Sequence, residues 1–264
     1  MPIGTFGRDL AATLREPAFW GYSSWLDILV KYRRTSIGPV WMVLPPFVFV
    51  VLLGTIYSQL MHFPPQHYLP FLGVGYLLWR VIIQVITEST SVLRNHKSFI
   101  FDGRVRLTDY FLRTLSKAMF YFVASLPILA GVFAWSDEMH VANLATLLVT
   151  MPVFLLGMLW LAAHLALFGA RFPDTAEFTN TILIFAFLVT PILWYPQQAH
   201  GGHVLTMVTR ANPAAHLINF VRDPLLGKMP DAYTLWFVGI FVVVGGLSTS
   251  WLYRRYGRYV PLWI

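Results

Sequence analysis

The chain contains, at residues 141–170, the run VANLATLLVTMPVFLLGMLWLAAHLALFGA, which has no Asp, Glu, Lys or Arg in 30 residues. A membrane-spanning helix needs about 20 such residues, because each residue advances it by about 1.5 Å across a hydrocarbon layer of about 30 Å. The run therefore predicts a helix that crosses a bilayer and is long enough to tilt or to extend past it.

Five further apolar runs of similar character predict five more spans. The chain as a whole is 57% hydrophobic and 12% charged, with a mean hydropathy of +0.61. This composition leaves too little polar surface to enclose a water-soluble core of this size. We expect an all-α integral membrane protein with one domain over residues 1–264. Its other spans are predicted at residues 39–61, 68–86, 118–135, 178–195 and 233–253.

The basic residues are distributed unevenly between alternate connections of these spans. Fifteen Lys and Arg residues lie before span one, between spans two and three, and after spans four and six, against three in the other connections. Such a bias marks the cytoplasmic side of a bilayer. The sequence predicts a multi-pass membrane protein with both termini cytoplasmic. The placement accounts for the net charge of +7 through lipid headgroups, so no nucleic-acid partner is expected.

An aromatic-rich segment, residues 18–37, precedes the first span and is bounded by charge. It predicts a short helix lying along the membrane interface, with Ser24 and Asp27 spaced as a capping box. The alternative is a cytoplasmic extension of span one, but Gly38-Pro39 favours a break there.

A second segment, residues 197–230, is apolar but interrupted by Asn212-Pro213. It predicts either a surface loop or a pair of short re-entrant helices before the last span, since non-helical backbone at membrane depth needs cover from protein or water.

Span two contains an ionisable side chain near its middle, Arg80. Inserting such an arginine costs about 2.5–3.5 kcal/mol, which some interaction must offset. Gln84 and Glu88 follow at i+4 and i+8, and Tyr76 precedes by one turn, so the four share a face that should meet protein or water. That face is either the lining of a passage for an anionic or sugar-bearing substrate, or a structural network with Glu88 or a neighbouring helix.

The residues predict no catalytic site, metal site or cofactor in this chain. A phosphate-binding loop needs a glycine-rich turn followed by Lys and Ser or Thr, and Gly227-Lys228 lacks both the earlier glycine and the hydroxyl. His200 and His203 have no third ligand for zinc nearby, and the chain has no cysteine. His164, alone in span four, is expected to be a hydrogen-bonded packing residue. Any coupling to ATP therefore requires a partner.

The connection at residues 93–113 mixes basic residues with the apolar sequence Phe99-Ile100-Phe101. It predicts a short amphipathic cytoplasmic helix that a soluble motor protein would contact. A basic loop with side chains reaching the interface is the alternative, but it explains the apolar residues less well.

Three motifs together resemble the ABC-2 type permeases, and especially the export subunits for O-antigen, capsule and teichoic-acid polymers. They are KYRRTSIGPVW at residues 31–41, RFPD at residues 171–174, and Asn212-Pro213 followed by Arg222-Asp223 and Gly227. With the six-span layout, the resemblance covers the whole chain.

The resemblance implies a homodimer paired with two copies of a cytoplasmic ABC ATPase that binds ATP and Mg, and a lipid-linked glycan as the substrate. The residues implied in contact with the ATPase are Asn95, His96, Lys97, Phe99, Ile100 and Phe101. Arg33 and Arg34 would meet a lipid diphosphate, because guanidinium suits phosphate geometry. Asn212 and Pro213 would help to close the periplasmic side.

Other functions share parts of this pattern. An ABC-2 exporter of a drug or a small lipid differs only in its substrate. An integral membrane transferase would act without a motor, and the sequence shows no cluster of carboxylates or histidines for it. A channel or scaffold would tolerate disruption of residues 99–101.

Overall fold

The computed structural model describes residues 4–103, 105–136, 141–195 and 203–264. In these ranges the chain is helical, with short turns and no β-strand. Five helical segments are long and apolar enough to cross a membrane. They are Val40–Leu60, Pro65–Asn95, Leu107–Trp135, Ala142–Arg171 and Ala232–Trp263. The prediction of an all-α membrane protein is confirmed.

The first span is assembled from three pieces. Helix α3 (Val40–Phe47) passes through a π-helical stretch, Val48–Leu53, into α4 (Gly54–Leu60). Pro45 and Pro46 lie inside α3. Proline has no N–H to donate and its ring crowds the preceding turn, so the two prolines leave the carbonyl groups of Trp41 and Met42 without their usual helical donors.

The second and third spans are longer than their apolar runs. Helix α5 (Pro65–Asn95) continues nine residues past the predicted end at 86, and α7 (Leu107–Trp135) begins eleven residues before the predicted start at 118. The extensions contain charged residues, which hydropathy excludes but which other helices cover. Arg113 of α7 is buried in this way.

The fifth predicted span is shorter than expected. It forms α9 (Thr175–Val189), whose 15 residues reach about 22 Å, less than the hydrocarbon thickness of about 30 Å. Thr190 is extended because it precedes Pro191, and a residue before proline disfavours the helical conformation. A six-span count therefore stays a prediction.

The helix α5 forms the centre of the bundle. It packs against α7 and α8 (Leu147–Arg171), and also contacts α9 and the short helix α11 (Pro213–Leu225). Trp79 and Tyr68 of α5 are fully buried. At Gly169 of α8, an added Cβ would lie 2.0 Å from the backbone oxygen of Thr90, so only glycine allows the two helices to approach this closely.

The N-terminal segment forms two short helices beside the bundle, α1 (Phe6–Arg15) and α2 (Ser23–Arg33). A π-helical turn, Ala18–Tyr22, leads into α2, and both pack on α7. Along α2 one face is buried at Ser24 and Ile28, while apolar residues such as Trp25 and Val30 are exposed. This two-faced helix has the character expected at an interface.

The capping box predicted at Ser24 and Asp27 is wrong. Ser24 lies inside the helical stretch, and its hydroxyl reaches the backbone oxygens of Trp20 and Arg113. Asp27 is bonded to the side chain of Arg113 instead.

The segment before the last span contains two short helices, α10 (His203–Ala211) and α11, joined at Asn212. Helix α12 (Ala232–Tyr256) follows, and α13 (Val260–Trp263) ends the chain after a 3-10 turn. The predicted re-entrant segment starts at residue 197, and its first six residues lie outside the described ranges. A helix pair is present at 203–225, and its depth in the membrane stays a prediction.

Candidate functional site

The polar stripe predicted on α5 divides into two parts. Tyr76 stacks face to face on Phe49 of the first span, with ring centroids 3.7 Å apart. Gln84 donates from Nε2 to Oε2 of Glu88 at 2.8 Å. The four residues lie on one side of α5 as the spacing requires, but they do not form one connected network.

Glu88 belongs to a chain of charges that joins three helices. Its Oε1 accepts from Lys117 Nζ of α7 at 2.6 Å. Lys117 also lies 3.2 Å from Asp27 Oδ2 of α2, and Arg113 Nη2 donates to the same oxygen at 2.6 Å. The charge network Glu88, Lys117, Asp27 and Arg113 therefore ties α2 to the second and third spans.

Asp27 stays ionised in this network. Burial raises the pKa of its carboxyl, but the hydrogen bonds and positive charges of Arg113 and Lys117 outweigh burial and hold that pKa below its usual range. A buried pair that keeps all its partners is stable, whereas removal of one partner leaves the other charge uncompensated.

Arg80 stands outside the network. Its guanidinium has no hydrogen bond or ion pair with any residue in the described ranges, including Glu88. It lines a small cavity of about 20 Å³ with Tyr121 and Ser125 of α7, which is large enough for a water molecule. The cost of placing this charge in the bundle is thus not offset by a hydrogen bond or ion pair to a described residue.

The predicted coupling residues surround a five-residue helix, α6 (Lys97–Phe101), between the second and third spans. Ile100 is buried, and α6 contacts the C-terminal helix α13. Phe99 and Phe101 are 53% and 57% exposed on the outer side, and Lys97 is also exposed. Gly103 follows with a φ of +68°, which glycine adopts without strain and which turns the chain toward α7.

The residues before α6 hold it in place. His96 donates from Nδ1 to the backbone oxygen of Val92 at 2.8 Å, and its ring lies 5.4 Å from that of Tyr110. Burial lowers the pKa of His96, so its imidazole is neutral at pH 7. Asn95 is exposed at the end of α5 and bonds within its own turn to Ser91.

Arg33 and Arg34 lie at the C-terminal end of α2. Both are exposed, and neither has a hydrogen bond or ion pair with a residue that the structure describes. Two free guanidinium groups at one end of an apolar-faced helix form a basic patch of the kind that attracts phosphate.

Asn212 and Pro213 start α11. The Asn212 side chain accepts from the backbone N–H of Ala214 and Ala215, and donates to Thr190 Oγ1 at 2.9 Å. Proline at the first helical position needs no such partner. Asn212 therefore joins the start of α11 to the end of α9, and its observed contacts are those of a helix cap.

Arg222 of α11 is a buried residue whose role the sequence analysis missed. Its side chain is 1% exposed, donates to the backbone oxygen of Pro191 at 2.9 Å and to Asn219 Oδ1 at 2.6 Å, and lies 3.7 Å above the ring of Phe71. Asp223 Oδ1 is 3.9 Å from its Nε. In the sequence, the only sign of this burial is that Arg222 lies within an apolar stretch. Arg210 also lies within an apolar stretch and is exposed, so this sign does not predict which arginine is buried.

A cavity of about 390 Å³ opens beside Arg222. Polar and charged groups line it, among them His216, Asp223 and Lys228. His216 is bonded through both ring nitrogens, to Thr234 Oγ1 and to the backbone oxygen of Arg210, each at 2.9 Å. The two short helices before the last span thus enclose a polar space rather than a purely apolar one.

Comparison with known proteins identifies the family. The family model for the ABC-2 type transporter matches residues 20–226, more than three quarters of the chain. The chain belongs to the ABC-2 type transporter family. Two relatives from Klebsiella pneumoniae, each named O-antigen export system permease protein RfbA, are 25% and 23% identical over 235 residues, which cover 84% of this chain and 86% of each relative.

The match places the candidate sites within the region shared with other ABC-2 type transporters. It begins in the segment that leads into α2 and ends at Leu226, just after α11. The charge network, α6, Arg80 and Asn212 all lie inside it, whereas α12 and α13 lie beyond it. As a member of this family the chain is a multi-pass membrane permease.

His164 of this ABC-2 transporter is a packing residue, as predicted. Its ring nitrogens are 2.7 Å from the backbone oxygen of Trp160 and 3.0 Å from Ser248 Oγ. Among the described residues, no group of three or more His, Asp or Glu side chains is placed to hold a metal ion. His200 lies outside those residues and the His203 side chain is not described, so the expectation for that pair is untested.

Proposed function

We propose that this chain is the membrane subunit of an ATP-driven exporter that moves a lipid-linked polysaccharide, O-antigen or capsule-like, across the bacterial inner membrane. The observation that carries the proposal is the match over 84% of the chain to permeases of O-antigen export systems. Two copies of the chain pair with two copies of a cytoplasmic ABC ATPase, which binds ATP and Mg. Both termini face the cytoplasm.

The ATPase docks on α6. Aromatic side chains are favoured at protein interfaces, and the exposed Phe99 and Phe101 supply two of them at one end of the bundle, beside exposed Lys97. Buried Ile100 anchors the helix, so a push on α6 reaches the ends of α5 and α13 rather than a loose loop.

Motion of α6 is transmitted to the interfacial helix by the charge network. Glu88 lies on α5 seven residues before Asn95, and Lys117 and Asp27 connect it to α7 and α2. These contacts are short and partly buried, so the three helices move as a unit when the motor closes.

The lipid-linked glycan reaches the protein beside α2. Arg33 and Arg34 hold its diphosphate at the membrane surface, and the exposed apolar face at Trp25 and Val30 meets the lipid tail. Arg80, with Tyr76 and Gln84, lines the passage and meets anionic or hydroxyl groups of the sugar chain. Asn212 and Pro213 close the far side by joining α11 to the end of α9.

The proposal is tested by deleting the gene and measuring surface polysaccharide and lipid-linked glycan retained inside the cell. Loss of surface polymer with internal accumulation of lipid-linked chains, reversed by the intact gene, is the expected result. If both pools are unchanged, the polysaccharide assignment fails and export of a drug or small lipid takes its place. If both pools disappear, the protein acts in synthesis, as a transferase would.

A further inference from the structure

Helices α8 and α12 enclose a groove on the outer surface of the bundle. A cavity of about 500 Å³ lies between Trp160 and Phe241, and a second of about 370 Å³ lies between Phe168 and Trp251. Volumes of this size match those of small-molecule sites, which range from about 300 to 1,000 Å³. Apart from His164, Ser248 and Arg171, the residues that line them are apolar or aromatic.

The two cavities follow each other along α8 and α12. On α8 the lining residues Trp160, His164, Leu167 and Arg171 are spaced by four, three and four residues. On α12 the lining residues Gly245, Ser248, Leu252 and Tyr256 are spaced by three, four and four residues. Residues three and four apart share one face of a helix, so a single groove runs toward the ends of α8 and α12.

His164 and Ser248, which line the cavity between Trp160 and Phe241, are already bonded to the protein. His164 and Ser248 are 3.0 Å apart, and Ser248 also lies 2.7 Å from the backbone oxygen of Val244. A ligand in this part of the groove therefore meets apolar surface, which suits a hydrocarbon chain.

Arg171 lies at the open end of the groove. It is exposed, and it has no hydrogen bond or ion pair with any residue in the described ranges. Its guanidinium is 5.5 Å from the ring of Phe172 and 5.8 Å from that of Trp263. All its N–H donors remain available for an anion, and the flanking rings are those typical of a membrane interface.

This end of the groove lies on the same side of the bundle as α6. Arg94, near the end of α5, donates to the backbone oxygen of Pro173, two residues after Arg171. Three further exposed arginines, Arg254, Arg255 and Arg258, follow at the end of α12. The groove thus combines a long apolar channel with positive charge at one membrane surface.

We propose that this groove binds an anionic phospholipid, with one acyl chain between α8 and α12 and the phosphate on Arg171. A second copy of the chain is a poorer occupant. A two-fold axis along the bilayer normal would bring the arginines of one copy against those of the other. The proposal concerns a lipid that stays bound to the protein, and it does not depend on what the permease exports.

The test uses the purified full chain in vesicles that contain phosphatidylglycerol with a photoreactive acyl chain. We expect crosslinks on peptides of α8 and α12 that line the groove. Labelling should exceed that by the matching phosphatidylcholine by about fivefold, the effect expected of one basic residue near an anionic surface. An excess of inorganic phosphate should not reduce the labelling.

Two matched pairs of variants separate the contact with the lipid headgroup from the contact with the acyl chain of the lipid. Arg171→Gln should remove the preference for phosphatidylglycerol, while Arg254→Gln, an exposed arginine that does not line the groove, should retain it. Val244→Trp should fill the groove and abolish labelling by both lipids, while Val243→Trp, equally exposed on the next residue, should not.

Three results would overturn the proposal. Equal labelling of the unchanged protein by the two lipids would show that the groove is occupied by ordinary surrounding lipid, without preference for an anionic headgroup. Reduction of the phosphatidylglycerol labelling by inorganic phosphate to the level seen with phosphatidylcholine would assign Arg171 to a general anion site rather than to a lipid headgroup. Crosslinks from the groove to a second protein copy would make it an interface.

Discussion

Cations inside this bundle are accommodated in two different ways. Lys117 and Arg222 each have two or more protein partners within 3.2 Å, so their charges stabilise the positions of neighbouring helices. Arg80 has none in the described part of the chain. The two kinds of residue should therefore respond differently to substitution.

Arg80→Gln should abolish or strongly reduce export while leaving the amount of folded protein unchanged, because no hydrogen bond or ion pair to another described residue is lost. Lys117→Gln is the matched control on the neighbouring helix. It removes ion pairs to Glu88 and Asp27 and should lower export and protein level together. Surface polysaccharide is measured per molecule of permease in the membrane. A parallel fall in protein level for Arg80→Gln would assign that residue a structural role instead.

Replacing Arg222 with Gln should destabilise the protein by about 3 kcal/mol or more, the usual loss when a buried charge network is broken. Asp223 and the oxygen of Pro191 would lose their partner. The measurement is the thermal midpoint in detergent followed by size-exclusion chromatography. Arg210→Gln, an exposed arginine that lines the same cavity, should change stability by less than about 0.5 kcal/mol. Equal midpoints for the two variants would contradict the role given to Arg222.

The contribution of Asp27 should depend on pH in a defined direction. Its pKa in the folded protein is held below the usual value by Arg113 and Lys117. The ionised carboxylate therefore stabilises the fold fully at any pH above about 4, and this stabilisation is lost as the pH falls through the folded-state pKa. The gap in thermal midpoint between the unchanged protein and Asp27→Asn should be constant from about pH 8 to pH 5 and shrink below about pH 4. A gap that vanishes near pH 6 would point to a histidine instead.

At the scale of helices, α6 tests whether the exposed aromatic residues serve a partner. Phe99→Ala with Phe101→Ala should leave the fold intact, because both side chains are more than half exposed, and should abolish co-purification of the partner ATPase. The control is Phe178→Ala on α9, which is 66% exposed and far along the chain from α6. Ile100→Ala should instead lower stability by about 2 to 5 kcal/mol, since it removes a buried side chain. Unchanged ATPase binding by the double variant would exclude α6 as the docking site.

The sequence predicts helices well where apolar runs determine them and less well where tertiary contacts extend or end them. The span at 141–170 matches Ala142–Arg171 to within one residue. By contrast, α7 continues through charged residues because Asp27 of α2 pairs with Arg113 and Lys117, and α5 does so because Lys117 also pairs with Glu88. Such partners on other helices cannot be predicted from the local sequence. Helix α9 ends early at Thr190, which the following proline could have indicated.

The candidate sites follow the same rule. The spacing of Tyr76, Arg80, Gln84 and Glu88 places them on one side of α5, but it does not show that Glu88 pairs with Lys117 rather than with Arg80. The burial of Ile100 between exposed Phe99 and Phe101 is likewise a result of packing on α13. Periodicity in the sequence predicts which residues share one side of a helix. It does not predict which residue of a neighbouring helix each of them contacts, because that depends on how the helices pack.

For the whole molecule, the central prediction is that α9 crosses the membrane although it has only 15 residues. Charge distribution places the turn before α9 with the cytoplasmic segments and the segment after α11 on the opposite side. The chain contains no cysteine, so single cysteines introduced at exposed Lys97, Asp174, His62 and Met229 report sidedness without a background. In intact spheroplasts, a membrane-impermeant maleimide should label His62→Cys and Met229→Cys, and Lys97→Cys and Asp174→Cys only after lysis. Labelling of Met229→Cys only after lysis would place it on the side of Asp174 and would exclude a membrane crossing by α9. That result would also contradict the fold, in which Trp263, at the end of the last span, lies 5.8 Å from Arg171 at the end of α8.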